Sequence, residues 1–214
     1  MIAVVDYGMG NLHSVSKAVE RLGYEVVLTS SHEELLTADG IILPGVGAYG
    51  DAMQALRGSG LIPTLQEVVE GGKPMLGICL GMQLLFDGSD EHGYHEGLGM
   101  LPGRAVRFEG GSYKVPHMGW NELIWQQAAH PLAGEAENGY VYFVHSYRVV
   151  AEEQSDVLAT CSYGGVEVTA IVGRGSVYGM QFHPEKSGAL GLRLLGRFLA
   201  LTGSGRQSIQ LARS

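Results

Sequence analysis

Short apolar runs interleaved with amphipathic stretches constrain the fold of this chain more than any other feature. Residues 1–5 (MIAVV) form the first run, which ends at Asp6. Residues 11–22 then have helical spacing, with Leu12, Val15, Val19 and Leu22 on one face. Gly23 stands where a helix-closing glycine belongs. Residues 24–28 and 40–43 are the next two runs, the second stopped by Pro44. Helical patterns cover 52–56 and 61–70. Residues 75–78 are a further apolar run, followed at once by Cys79 and a helix through about Phe86. Such alternation predicts an α/β fold with a mostly parallel central sheet and helices on both faces.

The second half has another texture. Residues 106–108, 114–116, 140–150, 157–162, 166–172 and 177–182 read as short strands separated by Gly-rich turns, and 190–201 as a closing amphipathic helix. A smaller antiparallel insertion is therefore expected before the chain returns to the main sheet. The 214 residues suit one domain, taken as 1–201. Residues 202–214 (TGSGRQSIQLARS) form a polar tail expected to fray.

Composition narrows the function classes. A net charge of −8 without a basic run leaves no electrostatic footprint for nucleic acid. Two cysteines, Cys79 and Cys161, make neither a disulfide framework nor a clustered metal site. No apolar run approaches the ~20 residues of a membrane span, and the N-terminal residues lack a signal-peptide pattern. The cytoplasm is the expected compartment.

Gly77-Ile78-Cys79-Leu80-Gly81 has the form of a nucleophile elbow with cysteine in place of serine. A strand turns sharply into a helix there, and flanking glycines allow the close packing that the turn needs. Cys79 then lies at a helix N-terminus, where the dipole favours thiolate. The Leu80 amide is placed to help hold an oxyanion. The bland reading is an inert buried cysteine. Gln181-Phe182-His183-Pro184-Glu185 supplies a partner. His183 follows an apolar strand and should reach the carboxyl edge of the sheet, where open α/β sheets bind their ligands. Imidazole there can take a thiol proton and return it to a leaving amine. Glu185 is close enough to fix the ring tautomer; the bland reading is a surface His-Pro turn. Pro44-Gly45-Val46-Gly47 should reach the same edge, with Val46 and Gly47 as oxyanion donors or as an ordinary turn.

Other motifs carry less. Residues 91–96 (EHGYHE) have metal-like types but no further ligand pair, and read as a solvated loop. Residues 6–11 (DYGMGN) lack the third glycine of a dinucleotide fingerprint, and no P-loop is present. No metal or cofactor is expected.

Residues 77–83 (GICLGMQ) and 181–185 (QFHPE) together resemble the class I (triad) glutamine amidotransferases, over roughly residues 1–201. The resemblance implies Cys79 as nucleophile, His183 as general acid/base and Glu185 as its orienter. It implies Gln83, Ser146 and Tyr147 as holders of the substrate's amino-acid end. Within the family, residues 6–11, 44–47, 117–121 (HMGWN) and 142–147 (YFVHSY) are most similar to glutaminase subunits that serve a separate (β/α)₈-barrel cyclase in histidine biosynthesis. That implies a heterodimer which passes ammonia between subunits. Asn11, Ser14, Met118, Trp120 and Asn121 are then expected at the partner surface. For Trp120 the competing reading is a cap over the core of the inserted strands. A glutaminase of another pathway and a Cys-His-Glu peptidase remain as alternatives.

Overall fold

The computed structural model describes residues 1–134 and 138–205. In chain order the elements begin with β1 (Ile2–Val5), α1 (Leu12–Arg21), β2 (Val26–Thr29), α2 (His32–Thr37), β3 (Gly40–Gly45), α3 (Tyr49–Ser59) and α4 (Ile62–Glu70). There follow β4 (Met75–Cys79), α5 (Leu80–Leu84), β5 (Phe86–Ser89), β6 (His95–Glu96), β7 (Leu101–Arg107), β8 (His117–Glu122) and β9 (Ile124–Trp125). The chain continues with β10 (Tyr140–His145), β11 (Tyr147–Ala151), β12 (Val157–Tyr163), β13 (Val166–Arg174), β14 (Val177–Met180) and α6 (Gly188–Leu201).

Among the described residues the main sheet has the order β2-β1-β3-β4-β14-β13-β12-β9. Pairing is parallel from β2 through β14 and antiparallel from β14 to β9. Its central strands are buried on both sides, so the pleat sends alternate side chains to two cores. Ile2, Val4, Ile42, Leu76 and Ile78 pack with Val15 and Val19 of α1 and Leu194, Leu195 and Phe198 of α6. Ala3, Val5, Ile41, Leu43 and Met75 pack with Met53 and Leu56 of α3 and Leu65 and Val68 of α4. The expected helices on both faces are these. The insertion is two pieces, a sheet in the order β11-β7-β5-β6 and a ribbon of β8 with β10. The chain changes from the ribbon to the sheet at Ser146, which is the one residue between β10 and β11.

Several boundaries differ from expectation for identifiable reasons. β3 does not stop at Pro44. It runs on to Gly45 along β4 alone, past its last pair with β1 at Ile42, where a proline is tolerated as at a sheet edge. The short helix α2 escaped the apolar pattern, although Ser31 caps it by accepting from the Glu34 amide. The helix after Cys79 ends at Leu84, because Phe86 already pairs with Leu101 in the second sheet. Residues 114–116 are not a strand. The Val115–Pro116 bond is cis, and the strand begins at His117 instead. The expected 140–150 strand is broken at Ser146, and β14 ends at Met180, before Gln181. Of the expected polar tail, residues 206–214 lie outside the described part of the chain.

Candidate active site

The register of the central sheet assembles the site. Gly45 pairs with Cys79, and Met180 pairs with Ile78. The carboxyl ends of β3, β4 and β14 therefore lie side by side and deliver Val46-Gly47, Cys79 and His183 to one edge.

Cys79 has φ 55° and ψ −113°, a backbone conformation that side chains rarely adopt. Close packing on both sides enforces it. A Cβ on Gly81 would lie 1.9 Å from the Leu43 carbonyl oxygen, and one on Gly77 would lie 2.6 Å from the Gly81 carbonyl oxygen. The elbow thus needs both glycines. The Cys79 Sγ lies 3.9 Å from the Val144 carbonyl oxygen and 3.9 Å from the Gln181 side-chain amide.

His183 is held from the ribbon. Its amide donates to the Tyr142 carbonyl at 3.1 Å, and its own carbonyl accepts from the Ser187 hydroxyl at 2.7 Å. The ring Nδ1 lies 2.9 Å from Glu185 Oε1, and the Glu185 side chain is 1% exposed. Burial lowers the affinity of His183 for a proton. Hydrogen bonds with Cys79 and Glu185, and the negative charge of both, outweigh burial and push its pKa up to about 9. The upward shift favours the imidazolium, the form that donates to a leaving group.

A cavity of about 340 Å³ opens over these residues. Cys79, His183, Val46, Gly47, Leu80, Gln83, Ser146 and Tyr147 all line it. Gln83 spends both amide hydrogens on neighbours, donating to the Tyr147 carbonyl at 3.0 Å and to Gln181 Oε1 at 3.0 Å. Glu185 lies beneath His183 rather than on the wall. Besides Pro116 and Val144, two polar wall residues were not legible in the sequence. His145 lies within an ordinary strand pattern. Glu91 belongs to the loop read as solvated, yet it turns into the wall and accepts from the Tyr49 amide at 2.6 Å. Among the described residues, no group of three or more His, Cys, Asp or Glu is arranged to hold a metal.

The surface candidates fall into two groups. Met118 and Trp120 are 61% and 56% exposed, so Trp120 is no cap on the core. They pair across the ribbon with Val144 and Tyr142, and Val144 also lines the cavity. An exposed apolar face thus runs to the cavity mouth. Asn121 turns inward and donates to the Ser162 carbonyl at 2.8 Å. Asn11 stands at the N-cap of α1. Ser14 borders a cleft between α1 and α6 that reaches Glu185.

Residues 3–200 match the family model "Glutamine amidotransferase class-I", and the chain belongs to that family. It is a glutamine amidotransferase of α/β architecture. The chain is 54% identical over 206 residues to "Imidazole glycerol phosphate synthase subunit HisH" of Geobacillus sp. (strain WCH70), covering 94% of this chain and 97% of that one. It is 51% identical over 210 residues to the protein of the same name from Halalkalibacterium halodurans, covering 96% and 98%. Within the class the chain therefore belongs with the HisH subunits. The solved structure of PurLQS from Thermotoga maritima shares the fold, with TM-score 0.75 at 24% identity over 94% of this chain and 97% of that one.

Proposed function

We propose that the chain is the glutaminase subunit of imidazole glycerol phosphate synthase, hydrolysing L-glutamine to glutamate and ammonia in histidine biosynthesis. The observation that carries this reading is the strained Cys79 in one cavity with His183, whose ring is backed by Glu185. Cys79 Sγ attacks the side-chain amide carbon of glutamine. Negative charge develops on the amide oxygen, and N–H groups of Leu80 and of the Val46-Gly47 loop hold it. His183 gives its proton to the amine, and ammonia leaves behind a glutamyl thioester. His183, now neutral, takes a proton from water as the hydroxyl adds to the thioester carbon. Collapse of that intermediate frees glutamate and the Cys79 sulfur. Glu185 accepts from Nδ1 throughout and keeps Nε2 turned to the chemistry. Gln83, Ser146 and Tyr147 hold the amino-acid end, and the Glu91 carboxylate suits its ammonium. No cofactor takes part.

Ammonia released to neutral water is largely protonated and no longer nucleophilic, so a sheltered route to an acceptor completes the reaction. We infer a (β/α)₈-barrel cyclase as the partner in a cytoplasmic heterodimer. Among the described residues no helix is long and apolar enough to cross a membrane. The partner covers the cavity edge through Asn11, Ser14, Met118 and Trp120; Asn121, expected there, instead turns its side chain inward to the Ser162 carbonyl. The test is glutamate release by the chain alone, with the cyclase, and with the cyclase and its nucleotide ligand. No hydrolysis in any arm would overturn the reading.

Two further results are expected. Glu185→Gln lowers kcat on the order of 10²-fold while KM changes less. The same change removes one of the two charges that raise His183. The alkaline limit of activity, where the imidazolium is lost, then moves to lower pH. A change confined to KM in steady-state kinetics would make Glu185 a substrate contact instead. Trp120→Ala weakens partner binding by about 2 kcal/mol, as loss of a buried aromatic anchor does, with little change in thermal stability of the isolated chain. Calorimetry of both quantities checks it. Equal losses would mean that Trp120 only supports the ribbon.

A further inference from the structure

Behind the cavity wall lies a hydrogen-bond chain, buried at its His117–His145 centre, that the mechanism above does not use. The Asn121 side-chain nitrogen donates to the Ser162 carbonyl at 2.8 Å and faces His117 Nε2 at 3.3 Å. His117 Nδ1 faces His145 Nε2 at 2.9 Å. His145 Nδ1 faces the Tyr147 carbonyl at 2.7 Å. The two ends of this chain dictate every proton in it. A carbonyl only accepts, so the Ser162 oxygen fixes which end of the Asn121 amide points inward. The second amide hydrogen then makes His117 Nε2 an acceptor and leaves its proton on Nδ1. That proton makes His145 Nε2 an acceptor and leaves its proton on Nδ1, aimed at Tyr147. Each imidazole has one permitted tautomer and no room for a second proton. Burial favours the same neutral state, pushing His117 down to about 4. It pushes His145 down to about 3, with the charges of His117 and His183 adding to the effect against the bond to Tyr147.

The chain ends on the corner where the backbone passes from the ribbon to the second sheet. Ser146 is bounded there by no strand of its own, yet both carbonyls of the corner are tied. Ser146 accepts from the Phe108 amide at 3.1 Å. Tyr147 accepts from His145 and from Gln83, which uses both of its lone pairs. The ring of His117 is itself clamped, stacked on Phe143 at 4.6 Å and on Tyr163 at 4.0 Å between centroids. We propose that His117 is a positioning residue for glutamine: acting through His145, it fixes the Ser146–Tyr147 corner in the orientation that binds the substrate's amino-acid end. This rests on the reading of the cavity as a glutamine site.

Stacking and hydrogen bonding can be separated at this position. His117→Phe keeps an aromatic ring between Phe143 and Tyr163 but donates nothing to His145. His117→Asn loses the stack but places an amide N–H near the position of Nδ1. In the complex with the cyclase, His117→Phe is expected to raise KM for glutamine about tenfold, the scale of one lost hydrogen bond, with kcat within about threefold. His117→Asn is expected to melt at a lower temperature than His117→Phe and yet keep KM within about threefold of the parent. A purely structural role predicts the opposite ranking, with activity following stability, and that result overturns the proposal. Nitrogen NMR of the unsubstituted complex gives a second measurement that no folding defect can spoil. His145 should carry its proton on Nδ1 only, and a proton on Nε2 overturns the proposal. If the unsubstituted complex fails to hydrolyse glutamine, the functional reading falls. If it hydrolyses glutamine and His117→Phe matches it in KM, only the inference about His117 falls.

Discussion

Cys79→Ala abolishes glutamine hydrolysis, with kcat falling on the order of 10⁴-fold or more, while the chain still folds and still binds its partner. No other group on the cavity wall can form the thioester. Cys161, the second thiol, is buried in the main sheet within β12, and burial pushes its pKa up to about 12. It is neither accessible nor ionised at neutral pH. Removing a nucleophile from a set that acts as a unit costs about as much as removing the whole set, which gives the size of the loss. The fold should not suffer, since alanine leaves the packing around Gly77 and Gly81 unchanged. Glutamate release in the presence of the cyclase measures the first half, and melting temperature with partner titration measures the second. Cys161→Ala should retain activity, and a glutamine-like electrophile should label Cys79 alone. A near-normal rate for Cys79→Ala would remove covalent catalysis from the account.

The second large effect is activation by the partner. In the complex kcat for glutamine should exceed that of the isolated chain by about 10²–10³, with KM little changed. That is the cost of lacking one oxyanion donor. We propose the loop that follows β3 as the switch. Rotation of the Gly45–Val46 peptide would exchange a carbonyl for the Val46 N–H on the cavity side. The loop is braced from the chain between β1 and α1. The buried Tyr7 hydroxyl donates to the Pro44 carbonyl at 2.8 Å. A Cβ on Gly10 would lie 3.2 Å from the Pro44 ring, and one on Gly47 would lie 3.3 Å from the Met9 methyl. The same segment runs directly into Asn11 and Ser14, the residues assigned to the partner surface. A partner seated on the start of α1 would press on Met9 and Gly10, which lie against the loop. If glutamine is held at Gln83, Ser146 and Tyr147 as proposed, it binds in either arrangement, and the change should fall on kcat. Steady-state kinetics of the chain alone, with cyclase, and with cyclase and ligand check it. Full activity of the isolated chain removes the switch. Activation confined to KM moves the switch to the Ser146–Tyr147 corner.

What the sequence made legible was local chemistry with a fixed spacing. An apolar run ending in Gly-x-Cys-x-Gly specifies a turn that only one backbone geometry satisfies. Residues 181–185 likewise put an imidazole and a carboxylate within reach of each other whatever the rest of the chain does. The parallel half of the sheet was legible because β1, β3 and β4 are buried on both faces and read as continuous apolar runs. The insertion was less so. β8 carries His117, Gly119 and Asn121 on its inner side, where an amphipathic strand would carry aliphatic residues. Its burial rests on an aromatic stack and a proton-ordered chain, and neither leaves a hydropathy pattern. Glu91 was missed because a carboxylate in a Gly-flanked loop looks the same whether it faces water or a cavity. Only the contact with the Tyr49 amide distinguishes the two.

The backbone of Cys79 has a consequence for how this protein would age without selection on its activity. A side chain at φ 55° and ψ −113° stores about 1–3 kcal/mol of strain, and glycine at the same place relieves it. Cysteine and glycine codons differ by a single base. One single-base mutation at the nucleophile thus removes the thiol and relieves the backbone strain, against the lost burial of the Cys79 side chain. Once glutamine hydrolysis were no longer needed, nothing in the backbone at this position would favour keeping a side chain there.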